Sequence, residues 1–185
     1  FNIPAGAPYA QYSYNAKAAW QGGFGKHVLG ETWISHWGRH KFEATRGVAE
    51  PANAADALLR GVKDVFGDSD VYEAYPPADA RVLLRGLVLK GMNPADAPAD
   101  RSKPRATDKA GKENRIFTTT LGAATDLLNE GSRRLVVNAV FWGLGLDVPA
   151  AADVRFVDPF NPKPYGFRGY RYRLTPDDYA LGKEV

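Results

Sequence analysis

The sequence predicts a single α/β domain, and two stretches support this prediction. Residues 115–145 carry a β-branched and aromatic run, a turn and a long apolar repeat in succession, which is typical of a strand followed by a helix. Residues 80–89 form a second strand-like run of apolar residues and arginines. A parallel, doubly wound sheet needs helices on both faces, and one strong helix is evident. We therefore expect a preceding segment, a second chain or the C-terminal tail to supply the remaining cover.

The composition fits one globular, soluble domain. At 185 residues and 44% hydrophobic content, the chain can bury roughly 70% of its unfolded surface. A net charge of +3 with scattered Lys and Arg gives weak support for nucleic acid, and no run of 18 apolar residues exists to span a membrane. We expect neither partner. The absence of Cys excludes disulfides, thiolate nucleophiles and Cys-bound metals within this chain.

The first residues predict an irregular lead-in. Residues 1–14 are rich in Pro, Ala and Tyr and have no hydrophobic period. The chain begins at Phe1 without a charged or apolar leader. We expect either a removed leader, which would imply export, or a longer polypeptide, and the compartment stays open.

All three histidines, His27, His36 and His40, lie in one Gly- and Trp-rich stretch. Imidazole exchanges protons near neutrality and also binds metals. On a helix, His36 and His40 would share a face and Glu31 could add an oxygen ligand, but Gly38 argues against a helix and the HEXXH order is missing. We expect no metal and no cofactor. Acid–base or sugar-contact roles and purely structural histidines both remain open.

A second polar group follows at Asp68, Asp70 and Tyr72. A carboxylate and a phenol two residues apart on a strand point to the same face. Such a pair can hold a sugar hydroxyl, or pass a proton if the carboxylate is desolvated. The alternative is an ordinary turn Asp and a packed Tyr. Because the histidines cluster, we expect at least one of them to lie near Asp70 and Tyr72 in a polar pocket.

The remaining elements follow from local patterns. Residues 41–46 predict a short strand, and residues 49–62 a loop and a short helix that buries Leu58 and Leu59. Residues 93–115 hold ten charged residues and three prolines without a period, which predicts a hydrated loop.

The long apolar repeat over residues 133–142 predicts the main helix. Residues 116–120 form the strand before it, and Thr125 or Asp126 is the predicted N-cap. Gly143 and Gly145 should end the helix. Its predicted core face consists of Leu135, Val136, Ala139, Val140 and Trp142.

Two motifs in this region, IFTTTLG and EGSRRLVVNAVFWGLG, resemble the C-terminal signature of the ThuA-like, or trehalose-utilisation, family. The resemblance covers residues 18–182 and implies a flavodoxin-like, class I glutamine amidotransferase-like three-layer sheet that is incomplete at the N-terminus. It implies a ThuA-like portion over residues 1–147 and an extended aromatic tail over residues 148–185. In the family a His commonly follows the Leu-Gly of the turn. Ala123 stands there in this chain, as in a similar bacterial subset.

The resemblance implies an enzyme of carbohydrate catabolism that acts on a disaccharide such as trehalose or a keto-sugar derivative. Glutamine amidotransfer is disfavoured because it needs a Cys nucleophile. The alternative is a non-catalytic module that binds a sugar, a partner subunit or a second copy of the chain. The predicted acid–base residues are His36, His40, Asp70 and Tyr72. The predicted substrate contacts are Gly23, His27, Glu31 and Trp37.

Overall fold

Five strands form a single sheet in the computed structural model, which describes residues 3–100, 105–110, 115–164, 173 and 175–180. The spatial order of the strands is β2-β1-β3-β4-β5. Their bounds are Thr45–Ala49 (β1), Phe66–Gly67 (β2), Arg81–Val88 (β3), Arg105–Ala110 (β4) and Phe117–Thr118 (β5). Two α-helices, α1 (Gly23–His27) and α2 (Glu130–Gly143), accompany them. The chain therefore mixes α and β structure, as predicted.

Every strand pair in this sheet is antiparallel. In β1, Thr45 lies opposite Gly67 on one side and Val88 on the other. A parallel pair needs a crossover of about a dozen residues, usually an α-helix, and the described residues that connect β1 to β2 and β2 to β3 contain no α-helix. The described sheet is thus not the parallel, doubly wound sheet that we expected.

The strand predicted over residues 80–89 is confirmed as β3, whereas the loop predicted over residues 93–115 contains β4. The backbone of β4 pairs with β3, from Gly86 opposite Arg105 to Arg81 opposite Ala110. Backbone pairing does not require a hydrophobic period, so a charged sequence can extend a sheet beside a long strand. Residues 93–100 of that predicted loop contain turns and a bridge between Pro98 and Leu89, and residues 101–104 and 111–114 lie outside the described residues.

Helix α2 begins at Glu130, later than the predicted N-cap at Thr125 or Asp126 implies, and it has a different cap. The side chain of Asn129 accepts a hydrogen bond from the Ser132 backbone N–H at 2.8 Å, so Asn129 is the N-cap. Thr125 and Asp126 lie in the preceding 3-10 helix, Ala124–Leu128. The helix ends at Gly143, in agreement with the predicted stop.

The hydrophobic core lies between α2 and the sheet. Val136 and Val140 are 40% and 56% exposed, so the predicted core face of α2 was too wide. Asn138 is fully buried instead, and its Nδ2 donates to the carbonyls of Leu58 at 2.8 Å and Arg60 at 2.9 Å. Buried polar groups need such partners. The buried core residues are Leu58, Val65, Leu83, Leu84, Leu121, Leu135 and Ala139, with Leu59, Val62, Phe117 and Trp142 partly buried against them.

The described beginning of the tail packs along α2. Val148, Ala152 and Val154 are buried. The guanidinium groups of Arg133 and Arg134, both on α2, donate to the Val154 and Ala152 carbonyls, respectively. Arginines thus hold this part of the tail through its backbone.

Of the predicted aromatic anchors of the tail, those at positions 165–172 lie outside the described residues. Phe156 is 44% exposed, and its ring stacks on that of Phe160 with centroids 5.1 Å apart. The boundary at residue 147 stays a prediction.

Candidate functional site

A short antiparallel bridge holds the histidine stretch against the Asp70 segment. His36 pairs with Tyr72 in this bridge, and the Trp37 backbone N–H donates to the Val71 carbonyl at 2.8 Å. The His36 and Tyr72 rings lie with their centroids 5.3 Å apart. These residues come together because two segments that are distant in the sequence pair in this bridge, and not because they share a helix.

Asp70 bridges two histidines. Its side chain is only 3% exposed, and its two oxygens accept hydrogen bonds from Nδ1 of His36 and, at 2.8 Å, from Nδ1 of His40. A buried carboxylate needs such donors to replace water. Donation from Nδ1 assigns the tautomer of neutral His36 and leaves its Nε2 lone pair as an acceptor. A carboxylate that orients an imidazole through Nδ1 is the arrangement of many histidine general bases.

A cavity of about 770 Å³ opens beside this group, and we call it the histidine cavity. This volume lies within the range of small-molecule sites, about 300–1,000 Å³. His36, His40 and Asp70 line the cavity. Its other lining residues are Trp33, Ser69, Tyr72, Thr120, Gly122, Ala123, Ala124 and Lys163.

The aromatic side of the cavity consists of Trp33 and Tyr72. The Trp33 ring lies edge-on to His36 at 5.5 Å and to Tyr72 at 6.4 Å between centroids. An indole or phenol ring buries a large apolar area and carries one polar group. This side therefore offers ring surface to a ligand next to the His36 imidazole.

Asp126 connects two segments that line the cavity. Its carboxylate is 1% exposed and accepts hydrogen bonds from the Ser69 hydroxyl at 2.7 Å and the Ser69 backbone N–H at 3.3 Å. The backbone N–H groups of Gly122 and Ala123 also donate to it, both at 3.0 Å. The Thr125 hydroxyl also donates a hydrogen bond to the Asp68 carboxylate. The 3-10 helix Ala124–Leu128 thus holds the residues next to Asp70 in place.

Replacing Asp126 with Asn is expected to lower the free energy of unfolding by about 2–3 kcal/mol, because an amide nitrogen would face N–H donors in a buried site. Urea denaturation measures the change. Asp153→Asn is the control, since the Asp153 side chain is exposed and we expect a change within about 0.5 kcal/mol. Equal stabilities of the two variants would contradict the role of Asp126.

The four predicted substrate contacts do not line the histidine cavity. Gly23 is buried with φ +65°, and a Cβ there would lie 2.2 Å from the Ser13 carbonyl oxygen, so this position requires glycine. His27 is exposed, and its Nε2 lies 3.2 Å from the Gln21 carbonyl. The carboxylate of Glu31 accepts from the next backbone N–H, and Trp37 contributes to the bridge described above.

The structure brings together the four predicted acid–base residues, His36, His40, Asp70 and Tyr72. Sequence reasoning did not single out Trp33, Ser69, Thr120 or Lys163 as site residues. Trp33 could have been found because it lies in the histidine stretch, and Ser69 because it adjoins Asp70. Thr120 and Lys163 carry no comparable signal, since only folding brings them to the cavity.

Within the described part of the chain, no group of three His, Asp or Glu side chains is arranged to hold a metal ion. The Nδ1 atoms of His36 and His40 face the Asp70 carboxylate. These atoms are thus committed to hydrogen bonds in this arrangement, and the prediction of no bound metal stays a prediction. Across the same residues, no helix combines the length and apolar character that a membrane span requires.

Comparisons with known proteins do not identify a family or a function for this chain. Neither protein-family models, nor curated proteins, nor solved structures gave a match to the chain. The resemblance to the ThuA-like family therefore rests on the two sequence motifs and stays a prediction. Any function assigned to the histidine cavity has to be argued from its own geometry.

Proposed function

We propose that this protein binds a carbohydrate in the histidine cavity and catalyses proton transfer on it through His36. The observation that carries the proposal is the Asp70 carboxylate, which is buried and accepts from Nδ1 of both His36 and His40. This geometry orients each imidazole and leaves Nε2 of neutral His36 as a base. The His36 side chain is 45% exposed, so a ligand can reach it.

The two histidines have complementary roles in this proposal. One carboxylate balances the charge of one imidazolium, so the other imidazole can stay neutral. His36 Nε2 removes a proton from the carbon next to a keto group, which forms an enediolate, and the resulting imidazolium returns the proton to the enediolate oxygen. His40 Nε2 is buried, so His40 fixes the Asp70 carboxylate and does not exchange a proton with the ligand. No net proton is consumed, and the Asp70 carboxylate stabilises whichever ring is charged. Tyr72 packs beside His36 and restricts the orientation of its ring.

The lining of the cavity supports a carbohydrate as the ligand. Trp33 and Tyr72 supply ring surfaces, and Ser69 supplies a hydroxyl group. The Thr120 Oγ1 atom is buried, so Thr120 lines the cavity through its other atoms. A disaccharide such as trehalose, or its keto derivative, is the substrate that the ThuA-like resemblance suggests.

The flavodoxin-like, amidotransferase-like fold belongs to the same proposal. The resemblance suggests it for a longer polypeptide of which this chain is the later part. The described sheet contributes the antiparallel strands set out above and no parallel pair.

A non-catalytic binding module is the second candidate, and a ring array outside the cavity favours it. The ring of Tyr12 lies between those of Tyr9 at 6.2 Å and Trp20 at 4.7 Å, and Trp20 also contacts His27 at 5.0 Å. Tyr9 is largely exposed. Exposed, rigid aromatic side chains are enriched where proteins bind partners. In this reading the array holds a sugar or a partner subunit without turnover.

Replacing His36 with Gln separates the two candidates. If His36 transfers a proton, turnover of trehalose or its keto derivative should fall about a hundredfold or more while sugar affinity is largely kept. Isothermal titration measures the affinity and a product assay the turnover.

The matched control is His27→Gln, because His27 is exposed and lies outside the cavity. We expect it to leave turnover unchanged. If the wild-type protein binds disaccharides but turns over none of them, the catalytic proposal fails and the binding module remains.

A further inference from the structure

A second cavity of about 370 Å³ adjoins the histidine cavity. The two cavities share His40, Ser69 and Ala123 as lining residues. A ligand that occupied both would therefore pass directly along His40. The residues that line only the second cavity are Lys41, Asp68, Met92, Thr125 and Pro164.

The charges of the second cavity favour a neutral ligand. The Asp68 carboxylate accepts a hydrogen bond from the Thr125 hydroxyl, so its position is set by the same 3-10 helix that carries Asp126. Lys41 lines the same cavity and provides one positive charge. A phosphate or other anion would meet the Asp68 carboxylate, and a cation would meet the Lys41 ammonium. Hydroxyl groups, which both donate and accept, can use both residues.

Two further features fit a built subsite. Lys41 has φ +65°, a left-handed conformation that is uncommon outside glycine and that clusters at functional sites. The backbone around it is held by hydrogen bonds from the Phe42 and Glu43 N–H groups to the Arg39 carbonyl, at 2.9 and 3.0 Å. Met92 is partly exposed and adds an apolar, adaptable surface.

We infer that the second cavity is the subsite for a second sugar unit, so that the ligand is a neutral disaccharide or longer saccharide with its linkage beside His40. This inference rests on the proposed function and deepens it. Asp68 and Lys41 act as specificity-determining residues, because they contact the second unit and not the unit at His36. The histidine cavity alone would accept a monosaccharide.

The test compares trehalose with methyl α-glucoside by isothermal titration. A hydrogen bond to a charged group is typically worth about tenfold in affinity, so wild-type protein should bind trehalose at least about tenfold more tightly. Asp68→Asn weakens this acceptor with little change of shape. Met92→Trp fills the second cavity from a partly exposed position. Each variant should lower trehalose affinity about tenfold and leave methyl α-glucoside affinity within about twofold.

Met92→Leu is the control, since it conserves volume and should bind both sugars like the wild type. Circular dichroism confirms that each variant is folded, and Asp68→Asn keeps the test decisive if Met92→Trp does not fold. Equal affinities for the two sugars, unaffected by either variant, would overturn the second subsite and leave the proposed function standing. Binding of neither sugar would overturn both.

Discussion

Gly131→Ala is expected to lower the free energy of unfolding by about 3 kcal/mol, because the added methyl group has no space. A Cβ at Gly131 would lie 2.1 Å from the Lys63 carbonyl oxygen, far inside van der Waals contact. Neither atom belongs to a flexible side chain, so the backbone of α2 or of the Lys63 segment must move.

Such a movement would also disturb the contacts that hold the first turn of α2. Asn129 donates to the Asp64 carbonyl at 2.9 Å, and Ser132 donates to the Phe66 carbonyl at 3.2 Å. These bonds join α2 to the residues that enter β2. We therefore expect the loss of stability to be cooperative rather than local.

Gly143→Ala is the matched control in the same helix. A Cβ at Gly143 has no atom within 4 Å, so the change should be neutral or should stabilise by about 0.5–1 kcal/mol through helix propensity. Urea denaturation of both variants gives the comparison. If Gly131→Ala proves as stable as Gly143→Ala, the close contact between α2 and Lys63 is wrong.

Asp70→Asn should reduce turnover about a thousandfold, provided that the proposed function holds, while sugar affinity changes only a fewfold. The amide can accept from one imidazole Nδ1–H through its oxygen, but its NH₂ group would face the other imidazole. That ring must then turn its Nδ1 lone pair toward the amide and carry its proton on Nε2. Where that ring is His36, its Nε2 carries a proton and can no longer act as the base.

Glu73→Gln is the control for this loss of charge. Glu73 lies close in sequence to Asp70 and accepts hydrogen bonds from Ser35, at 2.8 Å, and from Tyr75, but it does not line the histidine cavity. We expect its turnover to stay within a fewfold of the wild type. Single-turnover rates measure the chemical step, and ¹⁵N shifts of the imidazoles report their tautomers. Unchanged rates in Asp70→Asn would exclude the shared carboxylate from catalysis.

Several elements were predictable because their signals are local. β3 is a continuous apolar run with arginines, and α2 carries a helical repeat that ends at Gly143. The meeting of His36 with Asp70 and Tyr72 was expected from the clustering of the histidines and from the two-residue spacing of Asp70 and Tyr72. Residue type and spacing were enough to predict that these groups lie together.

Other features depend on contacts between residues far apart in the chain. In the sequence, Asn138 looks like a polar residue that interrupts the apolar face of a helix. It is nevertheless buried, because its side chain donates hydrogen bonds to the Leu58 and Arg60 carbonyls. Asp126 reads as a helix cap, but it receives four hydrogen bonds from two separate segments. A polar side chain has the same local pattern whether its partner is water or a distant backbone group.

The sequence by itself thus determined the strand β3, the helix α2 and the residue types of the acid–base group. Tertiary structure alone decided the antiparallel pairing of the described strands, the inclusion of β4 and the cavity that joins His36 to Thr120 and Lys163. The physical reason is the distance along the chain over which each kind of interaction acts. Periodicity and capping act over a few residues, whereas strand order, the burial of Asp70 and the sharing of its carboxylate between two histidines depend on segments that meet only in the folded chain.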